Sequence, residues 1–123
     1  MQPKELEYLK SQGWIVDRSG QKFIRYAGLL WLAHQKGLFS LTSEPVFEDP
    51  ENGGYCFRAV AKGFRFFNDQ VIEVTFEDQG DAFPYNTGKM IKPHIRRMAS
   101  TRAKARVLRD FCGVGISSLE EII

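Results

Sequence analysis

The sequence predicts an α+β domain in which a three-stranded antiparallel meander and a short N-terminal hairpin pack against a long, basic C-terminal helix (a β-β-β-α core). Two long segments between Tyr55 and Asp78 alternate apolar and polar residues, which is typical of strands with one buried face. The run 50–54, Pro-Glu-Asn-Gly-Gly, has the composition of a hairpin turn. Good helix formers fill residues 93–112, and Gly113 follows them. We therefore expect a single domain over residues 1–123.

The N-terminal third is predicted to hold a helix, a hairpin and a second helix, at residues 3–12, at 14–18 with 22–25, and at 26–36. Gly13 and Gly37 follow the two helical segments, where a helix commonly ends. The turn Ser19-Gly20-Gln21 separates the two short strands.

The meander is predicted at residues 38–48, 55–67 and 71–78. In the central strand, alternation places Tyr55, Phe57, Ala59 and Ala61 on one face. The last strand is expected to end at Asp78, and the following residues 79–82 to leave the sheet through a tight turn at Gly80.

The C-terminal helix is predicted to span residues 93–112, because proline is favoured at a first helical position. One face combines residues spaced by threes and fours and is expected to be the buried seam: His94, Met98, Thr101, Ala105, Leu108 and Cys112. A neighbouring face carries Arg102, Arg106 and Arg109. We expect this arginine face to meet solvent or an anionic ligand, with Arg97 pointing away from it.

Charge is distributed unevenly although the net charge is only +2. Eight Lys or Arg and no Asp or Glu lie between Lys89 and Arg109, whereas nine acids and three bases lie between Glu44 and Asp81. Such a basic segment is typical of a phosphate-binding surface. The candidate DNA-binding residues are Arg102, Arg106, Arg109, Lys104, Lys89, Lys92 and Arg96.

Composition excludes several classes of protein. A chain that is 43% hydrophobic and 13% aromatic is not a disordered tail. No apolar run approaches the length of a membrane span, and the N-terminus lacks the features of a signal peptide. Cys56 and Cys112 are expected to be free thiols in a reducing, cytoplasmic setting. Neither their spacing nor that of His34 and His94 fits a metal site, so we expect no metal and no cofactor.

The order of these segments, from about Lys22 to Gly115, resembles the Rad-fifty-two superfamily of single-strand annealing proteins. The likeness rests on Phe23-Ile24 before the Leu-Ala-His-Gln-Lys-Gly run at 32–37, on Gly-Asp-Ala at 80–82, and on Ala-Arg-Val-Leu-Arg-Asp-Phe at 105–111. Small proteins of bacterial mobile elements and phages with Gly-Asp-Ala and Thr-Arg-Ala-Lys-Ala-Arg segments are also similar. The resemblance implies an oligomer, including a ring, in whose inner groove Arg106 and Arg109 bind the DNA backbone. The family's Lys before the first arginine is Ala105 here, with Lys104 one position earlier.

The sequence therefore predicts a non-enzymatic single-stranded DNA-binding protein that promotes strand annealing in recombination or repair, acting as a homo-oligomer. Two alternatives stay open, a metal-dependent nuclease and a module that reads the shape of double-stranded RNA. Three aromatic residues near the last hairpin, Phe64, Phe66 and Phe67, belong either to the core or to a surface that stacks on bases.

Overall fold

A computed structural model describes residues 1–88 and 94–122. It has the predicted α+β architecture, with a three-stranded antiparallel sheet, a separate two-stranded hairpin and a C-terminal helix across the sheet. The elements are α1 Pro3–Ser11, β1 Ile15–Arg18, β2 Gln21–Ile24, α2 Tyr26–Gln35, β3 Leu38–Asp49, β4 Gly54–Phe67, β5 Gln70–Ala82 and α3 Ile95–Cys112. Short 3-10 turns occupy Pro84–Asn86 and Leu119–Glu121. The proposed helix start at Pro93 lies outside the described residues.

The sheet has the strand order β3-β4-β5, so β4 is central. The predicted face of β4 is the buried one, and Tyr55, Phe57, Ala59 and Ala61 lie on it against the helices. The opposite face carries no helix among the described residues and is polar at its centre. The sheet thus has one packed face and one open face, as antiparallel sheets commonly do.

Strand β5 is longer than the sequence predicts and continues to Ala82. Gly80 does not turn the chain out of the sheet; it pairs with Phe57 inside the ladder. A Cβ at Gly80 would lie 2.2 Å from the backbone nitrogen of Ala103, which no side chain allows. The glycine is needed because α3 crosses β5 with its backbone almost in contact with the strand.

Helix α3 is buried on two sides, which the single predicted seam does not capture. Ala105, Leu108 and Cys112 of that seam are buried, but His94, Met98 and Thr101 keep partial or full exposure. A second set of residues faces the core as well: Ala99, Ala103, Val107 and Phe111. The helix lies between the sheet and α2, so the two packing partners together bury most of its C-terminal half.

The residues after α3 fold back onto the N-terminal half of the chain. Ser118 is buried and bridges to Ile24 of β2. Both carboxylate oxygens of Glu120 accept hydrogen bonds from the backbone N–H of Tyr26, at 2.7 and 3.0 Å. That N–H belongs to the first turn of α2 and has no partner inside the helix, so Glu120 caps α2 from a distance of 94 residues.

Both cysteines are free thiols, as predicted. Burial raises the pKa of Cys112 to about 11. In the two described segments of the chain, no helix has both the length and the apolar character that crossing a membrane requires.

Candidate nucleic-acid interface

Arg102 does not belong to an exposed arginine face, contrary to the sequence prediction. Its side chain is 2% exposed and donates hydrogen bonds to three backbone carbonyls, those of Glu120 (3.2 Å), Asp81 (3.0 Å) and Asn86 (2.8 Å). Burial lowers the pKa of the guanidinium, and the nearby charge of Arg106 adds to this. Arg102 therefore joins the end of β5, the following turn and the C-terminal segment, and is not available to a phosphate.

Arg106 and Arg109 share one internal anion. Oε1 of Glu121 lies 2.9 Å from Nη1 of Arg109 and 3.6 Å from Nε of Arg106. Arg106 also donates to the carbonyl of Gln79 at 3.0 Å. The arginine face predicted to meet solvent or an anionic ligand therefore has an acidic partner within the chain, which comes from the segment after the helix and not from the helix itself.

A groove lies beside the N-terminal half of α3 instead. It has a volume of about 670 Å³ and forms because α3 lies mainly over β4 and β5, so that the described elements leave part of the inner face of β3 uncovered. Two of the lining residues, Ser43 of β3 and Ser100 of α3, are joined by a hydrogen bond between their hydroxyl groups, with 2.6 Å between the oxygens. The remaining lining residues are Pro45, Tyr55, Phe57, His94, Ile95, Arg96 and Arg97.

Two cations of this region have no carboxylate within ion-pair distance in the described parts of the chain, Arg97 and Lys104. They lie seven residues apart on α3, so the two side chains project from the same side of the helix. Arg97 is exposed and Lys104 is half-buried. Thr101 lies between them, which gives the stripe a hydroxyl as well. Arg97 lines the groove, and Lys104 lies two turns further along the same side of α3, beyond the lining residues.

The remaining candidate DNA-binding residues lie either near the groove or outside the described residues. Arg96 lines the groove, but its Nε makes an ion pair with Glu48, and its guanidinium lies 5.1 Å from the centre of the Phe57 ring. Lys89 and Lys92 lie outside the described residues. Of the predicted set, Arg96 is therefore the described residue that lines the groove, and Lys104 lies on the same helix beyond the lining residues.

Arg97 is absent from the predicted contacts because the arginines at 102, 106 and 109 define the predicted binding face, and Arg97 points away from it. The signal was present in the spacing of Arg97, Thr101 and Lys104, which repeats by four and three. Ser43 could not be found this way, because only the fold brings β3 beside the start of α3.

Aromatic rings are exposed at both ends of the sheet. Phe64, Phe66 and Phe67 are 48%, 82% and 63% exposed, so the core interpretation of these residues is wrong. At the opposite end, Tyr85 is 82% exposed and stacks on Phe83 with 5.2 Å between ring centres. Each of these rings has a surface free for a ligand.

The acids that raised the nuclease alternative lie on the open sheet face or at its edge. Glu73 and Glu77 are exposed, and Glu77 lies 3.8 Å from Arg58. Within residues 1–88 and 94–122, no three His, Cys, Asp or Glu side chains come together in a way that could hold a metal ion. No protein-family model and no curated protein sequence matches the chain.

Proposed function

We propose that this protein binds single-stranded DNA through the groove beside the N-terminal half of α3. The observation that carries the proposal is that Arg97, in the lining of the groove, and Lys104, two turns further along the same side of α3, have no carboxylate partner among the described residues. A cation without an intramolecular partner gains most from a phosphate, because no existing ion pair has to be broken.

The groove offers more than charge. Because the hydroxyl groups of Ser43 and Ser100 are hydrogen-bonded to each other, one of the two keeps its O–H available to donate to a phosphate oxygen, which is a common backbone contact. Arg96 adds a second guanidinium, although a phosphate there competes with Glu48 for it. These contacts carry no sequence information, so the proposed binding is independent of base sequence.

Single strands are favoured over duplexes because the exposed aromatic rings have no role in binding a paired helix. Tyr85 and Phe66 each present a ring to solvent, and unpaired bases stack on such rings. The resemblance to the Rad-fifty-two superfamily supports the same ligand. It also supports annealing, in which bound strands are presented to a complementary strand, and a cytoplasmic homo-oligomer as the active form.

The test is a titration of a fluorescent oligodeoxythymidine at several salt concentrations. The logarithm of the affinity should fall linearly with the logarithm of salt, by about 0.7 per phosphate contact. At about 0.1 M salt this makes each contact worth about fivefold in affinity, so Arg97→Ala with Lys104→Ala should weaken binding about 25-fold and make the slope shallower by about 1.4.

The matched control is Arg18→Ala with Lys22→Ala, which removes two exposed charges from the β1–β2 hairpin. An equal loss of affinity in the control would reject the groove, because net charge alone would then explain binding. Parallel titrations with duplex DNA and duplex RNA decide against single-strand binding if duplex RNA binds best. Incubation with Mg²⁺ or Mn²⁺ decides against it if the DNA is cleaved. Light scattering decides whether the bound form is larger than a single chain.

A further inference from the structure

The two edges of the sheet differ in how they are protected. β3 carries Pro45 and two breaks in its register with β4, at Leu38/Ser40 and at Pro45/Phe47. Prolines and bulges are the usual means of preventing an edge strand from pairing with another chain. β5 pairs with β4 from Gln70 to Ala82 in an unbroken register and contains no proline. β5 is thus the unprotected edge.

Two arginine contacts reveal which backbone groups of β5 point outward. Arg106 donates to the carbonyl of Gln79 and Arg102 to that of Asp81. In an antiparallel ladder the N–H and C=O of one residue point to the same side, and this side alternates along the strand. Residues in step with Gln79, namely Glu77, Thr75, Glu73 and Val71, therefore direct their backbone groups away from β4.

These outward groups have no backbone partner among the described residues, and the side chains of the four residues are exposed. The arginines thus cover the last part of the β5 edge and leave its first part, Val71 to Glu77, open. Such an edge is a template for one more strand.

The side chains of this stretch specify the chemistry of that strand. On the open sheet face, Glu73 and Glu77 alternate with Thr75, so a neighbouring strand is favoured if it places Lys or Arg opposite the two carboxylates. On the packed face, Val74 and Phe76 are only half-buried beside α3, so an added strand with apolar residues there would cover them.

We propose that the β5 edge from Val71 to Glu77 binds an extended segment of a partner protein as a fourth strand. The partner segment has a basic residue two positions before its central residue and another two positions after it, and the residues next to the centre are apolar. Nucleic acid does not fit this edge, because its phosphates would meet two carboxylates. Pairing of β5 with β5 of a second copy is disfavoured for the same reason, since it brings four glutamates together. The proposal is independent of the groove beside α3.

The probe is a capped peptide, Thr-Arg-Val-Thr-Val-Arg-Thr, titrated into the full chain and followed by amide hydrogen exchange. Exchange should slow at the amides of Glu73, Thr75 and Glu77, which point outward, and stay unchanged at Val74 and Phe76, which already bond to β4. This alternation distinguishes strand addition from general stabilisation. Uniform protection, protection on β3 alone, or no binding at millimolar peptide would overturn the proposal.

Two control peptides separate the contributions. N-methylation at both arginines and the central threonine removes the N–H donors that face β5 and puts methyl groups in their place, while it keeps the charges, and it should abolish binding. Replacing both arginines by glutamate should weaken binding at least tenfold. Equal binding of either control would reject an added strand of this composition.

In the protein, Glu73→Lys should weaken binding of the arginine peptide about fivefold, because one favourable cross-strand pair becomes unfavourable. Glu51→Lys makes the same charge change at an exposed turn residue and should leave binding unaffected. A similar loss in both variants would show that the peptide responds only to net charge, which would also overturn the proposal.

Discussion

Replacement of Arg102 by alanine should destabilise the protein strongly, although the residue lies on a helix among other arginines. The guanidinium is nearly inaccessible to solvent and serves three backbone carbonyls from three separate segments, at Glu120, Asp81 and Asn86. Its removal leaves those carbonyls without their donor and opens a cavity between the end of β5 and the C-terminal segment.

The magnitude follows from the contacts. An unsatisfied buried polar group costs about 1–3 kcal/mol, and three carbonyls with partial access to water through the new cavity give a total of about 4 kcal/mol. With an unfolding entropy of about 2.1 cal/mol/K per residue, a chain of 123 residues has a total of about 260 cal/mol/K. The melting temperature should therefore fall by about 15 °C.

Urea unfolding followed by circular dichroism, with a thermal scan beside it, measures both quantities. Arg97→Ala is the matched control, because it removes an exposed arginine from the same helix and should change stability by no more than about 0.5 kcal/mol. A variant at Arg102 that melts within about 3 °C of the natural protein would refute the reasoning. The carbonyls would then be served by water at little cost.

Three further changes test other parts of the fold. Gly80→Ala should cost about 1–3 kcal/mol in urea unfolding, because its Cβ would overlap the backbone of α3. Arg106→Ala with Arg109→Ala should cost about 2 kcal/mol, because Glu121 is 10% exposed and would lose both partners. Burial raises the pKa of the Glu120 carboxyl group above 4.5 in the folded state. The contribution of this carboxyl group to stability is therefore fully present below about pH 4.5 and is lost as the pH rises through its folded-state pKa. Glu120→Gln should therefore be less destabilising at about pH 7 than at about pH 4, as measured by urea midpoints.

Each of these has its own check. Gly88→Ala adds the same methyl group where nothing lies within 4 Å, and it should be neutral. For the arginine pair, Glu121→Gln should recover part of the lost stability in the double variant, because the buried charge is then absent. If it does not, the ion pair is not the source of the loss. An unchanged pH dependence in Glu120→Gln would assign the titration to another group.

The order of the elements and the buried face of β4 could be predicted because both depend on local pattern. Helix ends were also predictable where the backbone needs a glycine: Gly37 and Gly113 adopt φ values of 101° and 67°. The full length of β5 could not be predicted, because the residues next to Gly80 in the sequence indicate a turn there. Only the position of α3 shows that the glycine makes room for a helix.

The candidate site could be predicted as a helix but not as a set of residues. Helical spacing correctly groups Arg102 with Arg106 and Arg109, yet it cannot tell which side of the group is covered. That depends on residues distant in sequence, Glu121 and the carbonyl of Asp81, which the fold brings to the helix. Arg97 lies at the groove because no described element packs over that part of α3.

The near contact between α3 and β5 has a consequence for ligand binding. With Gly80 beneath the backbone of Ala103, and with Ala99 and Ala103 fully buried, this part of the helix packs on the sheet through small residues, which leaves it little room to slide or rotate. Arg97 and Lys104 therefore project from a rod whose position is fixed before any ligand arrives. A strand of DNA in the groove would have to immobilise only the side chains, so little of the binding energy would be lost in ordering the backbone.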